Sequence, residues 1–249
     1  MGQDAALLLV RRVLALMVSM LLAGCRQAPP PPASGQTVDP RHYASFYLWP
    51  GVSPSADLRP KLLYLLDGEV RRGGPPRFLR LRPGVPKLSP TPLWLVVRVE
   101  RLDWNESVEA ALIADLDRWR MAGNNVVGLQ VDFDAATHGI GRYRQFLTNL
   151  RARLPAQWRL SITGLMDWSA HGDPQELRAL RSVIDEVVIQ TYQGRQTIPG
   201  YEAYFRKMRG FPIPFRVALV QGGAWNPPTD LAGERAFLGY VVFLMRTTH

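Results

Sequence analysis

Eight short runs of β-favouring residues recur after residue 44, and they limit the possible folds more than any other feature of the chain. They are S-F-Y-L-W from Ser45, L-L-Y-L-L from Leu62, L-W-L-V-V-R-V from Leu93 and V-V-G-L-Q-V-D from Val126, followed by W-R-L-S-I-T from Trp158, E-V-V-I-Q-T-Y from Glu186, F-R-V-A-L-V from Phe215 and G-Y-V-V-F-L-M from Gly239. Helical patterns alternate with the later runs. The clearest covers Glu106 to Met121, with apolar residues at three-four spacing and Asn105 as N-cap. Others are expected at Gly141–Leu154, Asp173–Val183, Tyr201–Met208 and Asp230–Leu238. Between the first three runs the chain offers Pro and Gly rather than helices. Strand-helix alternation favours parallel strands with helices outside, and eight strands is the barrel number. The fold expected is therefore α/β, a (β/α)8 TIM-type barrel, irregular in its first third. Met245–His249 directly follows the eighth run, so the last helix is expected to be missing. An open doubly wound sheet is the alternative, but the chain carries no G-x-G-x-x-G or phosphate loop to support it. The chain's 249 residues, 47% of them hydrophobic and with seven Trp, suffice for one large core.

The N-terminus reads separately. Arg11 and Arg12 precede an apolar run of about a dozen residues, the length of a secretion signal and too short to span a bilayer. The run ends in Leu22-Ala23-Gly24-Cys25, which resembles the bacterial lipobox, and Cys25 is the only Cys in the chain. An exported chain with a single Cys has no disulfide, and lipidation gives that Cys a purpose. A Pro-rich tether follows. The organisation expected is a lipoprotein signal peptide over 1–24, lipidated Cys25 and tether over 25–40, and one barrel domain over 41–249. The protein is expected to act as a monomer in the bacterial cell envelope, lipid-anchored on the periplasmic face of the outer or inner membrane. The formal charge is +9, and removing residues 1–24 takes away one net positive charge with Arg11, Arg12 and Asp4. Such a basic domain suits anionic lipid, cell-wall polymer or acidic glycan partners. No nucleic-acid-binding motif accompanies the charge.

Strand alternation identifies candidate site residues. In G-L-Q-V-D-F-D the apolar Leu129, Val131 and Phe133 share one face, and Gln130, Asp132 and Asp134 share the other. The polar set is expected to point into the barrel. Ser161 and Thr163 alternate in the same way on the next strand, which runs out into Asp167 and Trp168, and Gln190 and Tyr192 share a face on the one after. Polar groups on three consecutive strands thus converge near their C-terminal ends, where barrel enzymes carry their sites.

These residues carry a resemblance. G-L-Q-V-D-F-D resembles the fourth-strand motif G-I-D-I-D-W-E of glycoside hydrolase family 18, the chitinase-like barrels. V-I-Q-T-Y-Q is similar to that family's sixth-strand M-x-Y-D, and F-R-V-A-L-V-Q-G-G-A-W to a seventh-strand segment ending in G-R-A-W. The likeness covers roughly Val126 to Trp225. As a whole the chain is more similar to an uncharacterised bacterial group, family 3142 of the domains of unknown function, whose members carry a similar Q-V-D-F-D-A core. That second resemblance implies a barrel and a secreted location but no activity. The first implies Asp134 at the position of the general acid, Asp132 as its orienting partner and Tyr192 beside them. Gln130 and Gln193 stand where that family has Asp, and Asp134 is one methylene shorter than Glu.

Gln130, Asp167 and Gln190 are expected to bind substrate. Trp49, Trp168 and Trp225 fall just past strands, where an aromatic ring stacks on a sugar face, while Trp94, Trp119 and Trp158 are expected in the core. Asp67, Glu69 and Glu100 are expected as ion-pair partners. The alternative for Asp132 and Asp134 is capping of backbone groups or pairing with Arg142 or Arg144. No cofactor and no metal is expected, since His138 and His171 lack ligand spacing. No G-x-S-x-G elbow is present for a serine nucleophile. Two readings follow: a glycoside-hydrolase-like carbohydrate-active envelope lipoprotein, or a non-catalytic glycan-binding or envelope-organising one.

Overall fold

The computed structural model describes residues 35–88, 90–134 and 139–246. The expected signal peptide, Cys25, the tether up to residue 34 and His138 lie outside the described residues. All eight β-rich runs form strands: β1 Ser45–Leu48, β2 Leu62–Val70, β3 Leu93–Val99, β4 Val126–Asp132, β5 Arg159–Leu165, β6 Glu186–Gln190, β7 Phe215–Val220 and β8 Phe237–Phe243. Each pairs in parallel with the next, from Ser45 opposite Leu62 round to Val220 opposite Phe243. Val242 and Phe243 of β8 then pair with Phe46 and Tyr47 of β1 and close the ring. Among the described residues the fold is a closed eight-stranded parallel α/β barrel of the TIM type.

The outer layer is uneven. Helix α1 (Glu106–Met121) starts where the Asn105 side chain accepts a hydrogen bond from the Val108 N–H at 3.1 Å, and Arg118 and Arg120 sit in its negative C-terminal turn. It buries Val108, Leu112, Leu116 and Trp119 against the sheet. Helix α2 (Ile140–Arg153) buries Tyr143, Phe146, Leu147 and Leu150. Removing the fully buried Leu147 side chain to Ala would cost about 2–5 kcal/mol. Helix α3 (Pro174–Leu180) is shorter than the span expected to Val183; Asp173 caps it and Pro174 fills its first position. Helix α4 (Tyr201–Arg206) is likewise two residues shorter than expected.

The helix expected over Asp230–Leu238 does not form. Pro227 and Pro228 precede it, Leu231–Gly233 makes one 3-10 turn, and β8 already begins at Phe237. Gly239 sits at φ 102 beside a register shift between β7 and β8, a conformation that favours Gly. Among the described residues no helix lies between β1 and β2 or between β2 and β3, matching the irregular first third.

The N-terminal segment packs on the side of β7 and β8. Gln36–Thr37, expected in the tether, pair antiparallel with Ala224–Trp225 just past β7, and the Val38 N–H donates to the Gly223 carbonyl at 2.8 Å. Val38 is buried, and Tyr43 meets Tyr240 of β8 edge-on at 5.8 Å. Residues 36–43 therefore pack against the segment after β7 and against β8. On the far side of the barrel close approach sets a sequence requirement: a Cβ at Gly128 would stand 2.1 Å from the Arg159 carbonyl oxygen.

Candidate active site at the C-terminal end of the barrel

Inward-facing side chains form two polar layers of different character. The lower layer is a connected hydrogen-bond network. The Tyr47 hydroxyl donates to Gln130 Oε1 at 2.7 Å, and Gln130 Nε2 donates to Ser161 Oγ at 2.8 Å. Ser161 reaches Glu186 Oε1 at 3.2 Å, which also accepts from the Tyr64 hydroxyl at 2.5 Å. Arg216 Nε donates to Glu186 Oε2 at 3.2 Å, and Arg216 Nη1 to the Leu238 carbonyl at 2.6 Å. Gln130, Ser161 and Glu186 have 2% exposure or less, so each polar group needs a partner, and each has one. Burial, and then the Glu186 charge, push the Tyr64 phenol well up, so Tyr64 serves as a donor.

Further toward the C-terminal ends of the same strands, the layer opens into a cleft of about 720 Å³. Its lining comes from the C-terminal ends of strands around the barrel and the residues just past them: Trp49 after β1, Arg98 on β3, Asp132 on β4 and Asp134 after it, Thr163 on β5, Gln190 on β6 and Tyr192 after it, and Phe243 on β8. Asp132 is half-buried and accepts the Thr163 hydroxyl at 2.9 Å. Burial raises its proton affinity above that of an ordinary Asp; the Thr163 bond opposes this, the Asp134 charge adds to it, and Arg98 opposes it. Asp134 is exposed at the rim. Tyr192 stays a neutral phenol, its pKa pushed far up by burial and by the Asp132 charge, and its ring lies 5.7 Å from Phe243. The three residues thus combine a protonatable carboxyl, a solvent-facing carboxylate and a phenol donor around one cavity. The alternative pairing does not occur for Arg144, which bonds Glu176 at 2.5 Å on the outer surface.

The expected binding residues divide. Trp49 and Gln190 line the cleft, where Gln190 Nε2 donates to the Tyr192 carbonyl at 2.9 Å. Gln130 does face inward, but one layer too low, closed over by Tyr47 and Ser161. Trp168 is 1% exposed and packs on Tyr143 of α2, and Trp225 is 2% exposed and stacks on Tyr201 at 4.3 Å. Both are core residues and neither lines the cleft. Asp167 does not line it either and meets His171 Nδ1 at 2.6 Å. Trp94, Trp119 and Trp158 are buried as expected.

Residues missed by sequence reasoning include Tyr47, Tyr64, Glu186 and Arg216 in the lower layer and Arg98 in the cleft. Strand alternation could have found Arg98, the one charged residue in L-W-L-V-V-R-V and inward by parity with Trp94 and Val96. Arg72, Glu100 and Arg195 also line the cleft from loops, where no periodic signal exists. Of the other expected ion-pair acids, Glu69 pairs with Arg71, and Glu100 accepts the Arg72 N–H at 2.8 Å. Asp67 instead turns outward and is buried against α1, accepting Trp119 Nε1 at 3.0 Å. Burial and the neighbouring Asp115 raise it to about 8. Against burial, hydrogen bonds from Asp67, Arg118 and Arg80 hold Asp115 below the usual Asp range. Among the described residues no group of three His, Cys, Asp or Glu is placed to hold a metal ion, and no helix is long and apolar enough to cross a membrane.

Residues 89–207, from the start of β3 to the end of α4, match the family model described as domain of unknown function DUF3142. Among solved structures, the spore cortex-lytic enzyme SleL of Bacillus cereus is similar at 19% identity, covering 71% of this chain and 50% of that one, with a TM-score of 0.46. The chain thus spans half the length of that enzyme. The chitinase domain of the spore coat protein CotE of Clostridium difficile is similar at 12% identity, covering 80% and 67%, with a TM-score of 0.48. The xylanase and α-amylase inhibitor protein XAIP-II of Scadoxus multiflorus is similar at 11% identity, covering 80% and 92%, also at 0.48. A search of curated proteins finds no match to this chain.

Proposed function

We propose that the protein is a glycoside-hydrolase-like, carbohydrate-active lipoprotein of the bacterial envelope, anchored through Cys25 and acting on glycans in its barrel cleft. The observation that carries this reading is the convergence of Asp132, Asp134 and Tyr192 on one cavity at the strand C-termini. Glycosidic bonds need a proton on the leaving oxygen as the bond to the anomeric carbon breaks. Water then adds to that carbon and returns its proton to a carboxylate. The raised proton affinity of Asp132 supports giving it the donor role that the motif resemblance gives to Asp134. Asp134 then stands as the partner carboxyl facing solvent, and the Tyr192 hydroxyl as a donor to the sugar.

The test is turnover by the soluble domain on chitin oligomers, peptidoglycan fragments and acidic polysaccharides, with Asp132→Asn and Asp134→Asn alongside. Each variant should lose about a hundredfold or more in rate. Activity should fall as pH rises through the raised Asp132 pKa, because a donor must carry its proton. Turnover that survives both substitutions refutes the assignment. For the anchor, Cys25→Ala should move the protein out of the membrane fraction, and unchanged fractionation would refute it.

One observation favours the second reading, a glycan-binding barrel without turnover. Gln130 and Gln193 replace two of the resembled family's carboxylates, and Gln130 is committed to Tyr47 and Ser161. Tight binding with no turnover by the parent domain would decide for it.

A further inference from the structure

The cleft carries three Arg as well as its carboxylates, and two of them, Arg98 and Arg195, form no ion pair or hydrogen bond among the described residues. Arg72 is used locally: its N–H donates to Glu100 Oε2 and its Nε to the Glu100 carbonyl at 2.9 Å. Arg98 is set directly across the β3–β4 register from Asp132, yet among the described residues it forms neither an ion pair nor a hydrogen bond. Its guanidinium instead lies 5.4 Å from the centre of the Trp49 ring. The indole face holds the cation in place while leaving its N–H groups unused. Trp49 also abuts Phe243 at 5.5 Å, which holds the ring in place beneath Arg98. Arg195 has no partner among the described residues either. It follows Gly194 (φ 58) in the two-residue turn joining the short antiparallel strands Tyr192–Gln193 and Gln196–Thr197, which fixes it over the same opening.

We propose that the cleft takes a carboxylate-bearing glycan, with Arg98 and Arg195 reading the sugar carboxylate. The inference rests on the glycan reading of the cleft and names its substrate class. A guanidinium is a planar fork of donors that matches a carboxylate in two parallel hydrogen bonds. A neutral sugar offers neither guanidinium a bidentate charged partner. Arg98 passing over Asp132 for an aromatic seat leaves its fork free for an incoming anion. The net positive charge that remains after residues 1–24 are removed draws polyanions toward the domain from a distance.

The test measures affinity of the soluble domain, by calorimetry, for oligogalacturonides and for peptidoglycan saccharides. Each is used before and after chemical reduction of its carboxylates to alcohols, with chitin oligomers as a neutral glycan. Reduction should weaken binding roughly tenfold. Arg98→Gln should weaken binding of the carboxylated form by a similar factor and leave the reduced form unchanged, Arg195→Gln should do so to a smaller extent, and Arg98→Lys should restore part of the loss. Both positions are exposed, and thermal unfolding at the parent temperature shows that each variant is folded. Equal or tighter binding of the reduced forms or of chitin oligomers overturns the inference and leaves the glycan reading standing. Absence of binding to any of these glycans overturns both.

Discussion

The lower and upper polar layers of the barrel sit on the same strands, two residues apart on β4 and β5 and four apart on β6, and have opposite characters. Gln130, Ser161 and Glu186 below are polar, buried and bonded to one another. Asp132, Thr163 and Gln190 above are polar and open onto a cavity. Composition does not separate the layers, since both contain carboxylates, amides and hydroxyls. What separates them is whether hydrogen-bonding capacity has been used up. A layer that closes its own bonds is structure, because an unpaired buried group costs about 1–3 kcal/mol. A layer that leaves capacity pointing at a cavity is available for a ligand.

The sharpest way to break the comparison is at Glu186. Glu186→Ala leaves Arg216, Tyr64 and Ser161 without their shared acceptor and should destabilise the fold by about 3–5 kcal/mol, read from urea unfolding. A loss below about 1 kcal/mol would mean the network is not structural. Gln130→Leu should cost less, about 2 kcal/mol, since Ser161 keeps Glu186 while the Tyr47 hydroxyl is stranded. Asp67 tests the same idea outside the barrel. Its folded pKa of about 8 lies above the ordinary 3.8, so the folded chain holds an extra proton between those values. The resulting stability is complete below pH 4 and is lost as pH rises toward 8, with a slope of up to ~1.4 kcal/mol per pH unit. Asp67→Asn should flatten that slope, and an unchanged slope would place the titration elsewhere. The smallest effect is expected in the upper layer. Arg98→Gln and Asp134→Asn should shift stability by no more than about 0.5 kcal/mol while changing ligand behaviour. A large stability loss at either would assign the upper layer to structure as well.

The strands were legible in the sequence because each is a short β-branched or aromatic run, and because parity along V-V-G-L-Q-V-D-F-D sends Gln130, Asp132 and Asp134 inward together. Parity says which face a residue occupies but not how deep it lies. Gln130 therefore looked like a cleft residue when it belongs to the sealed layer. Depth depends on register with neighbouring strands, here Gln130 opposite Ser161, which pairing decides and sequence order does not. Trp168 and Trp225 failed for a related reason. Both follow strand ends, but Trp168 turns back onto α2, and the pairing of Gln36 with Trp225 turns that indole onto Tyr201. The missing helix at Asp230–Leu238 was a conflict between a weak helical pattern and the β-favouring Phe237, and barrel closure favoured the strand.

That closure has a consequence for how the domain reaches its structure. Val242 meets Phe46 across a seam that joins the first strand to the last, and Tyr43 packs edge-on against Tyr240 of β8. The loop closed by this contact spans nearly the whole domain, so its entropy cost falls late and in a single step. During synthesis β1 and β7 are left as open edges until Phe237–Phe243 arrives, each offering unpaired backbone groups to other chains. Chains ending before residue 237 are accordingly expected to aggregate instead of folding to a partly active barrel.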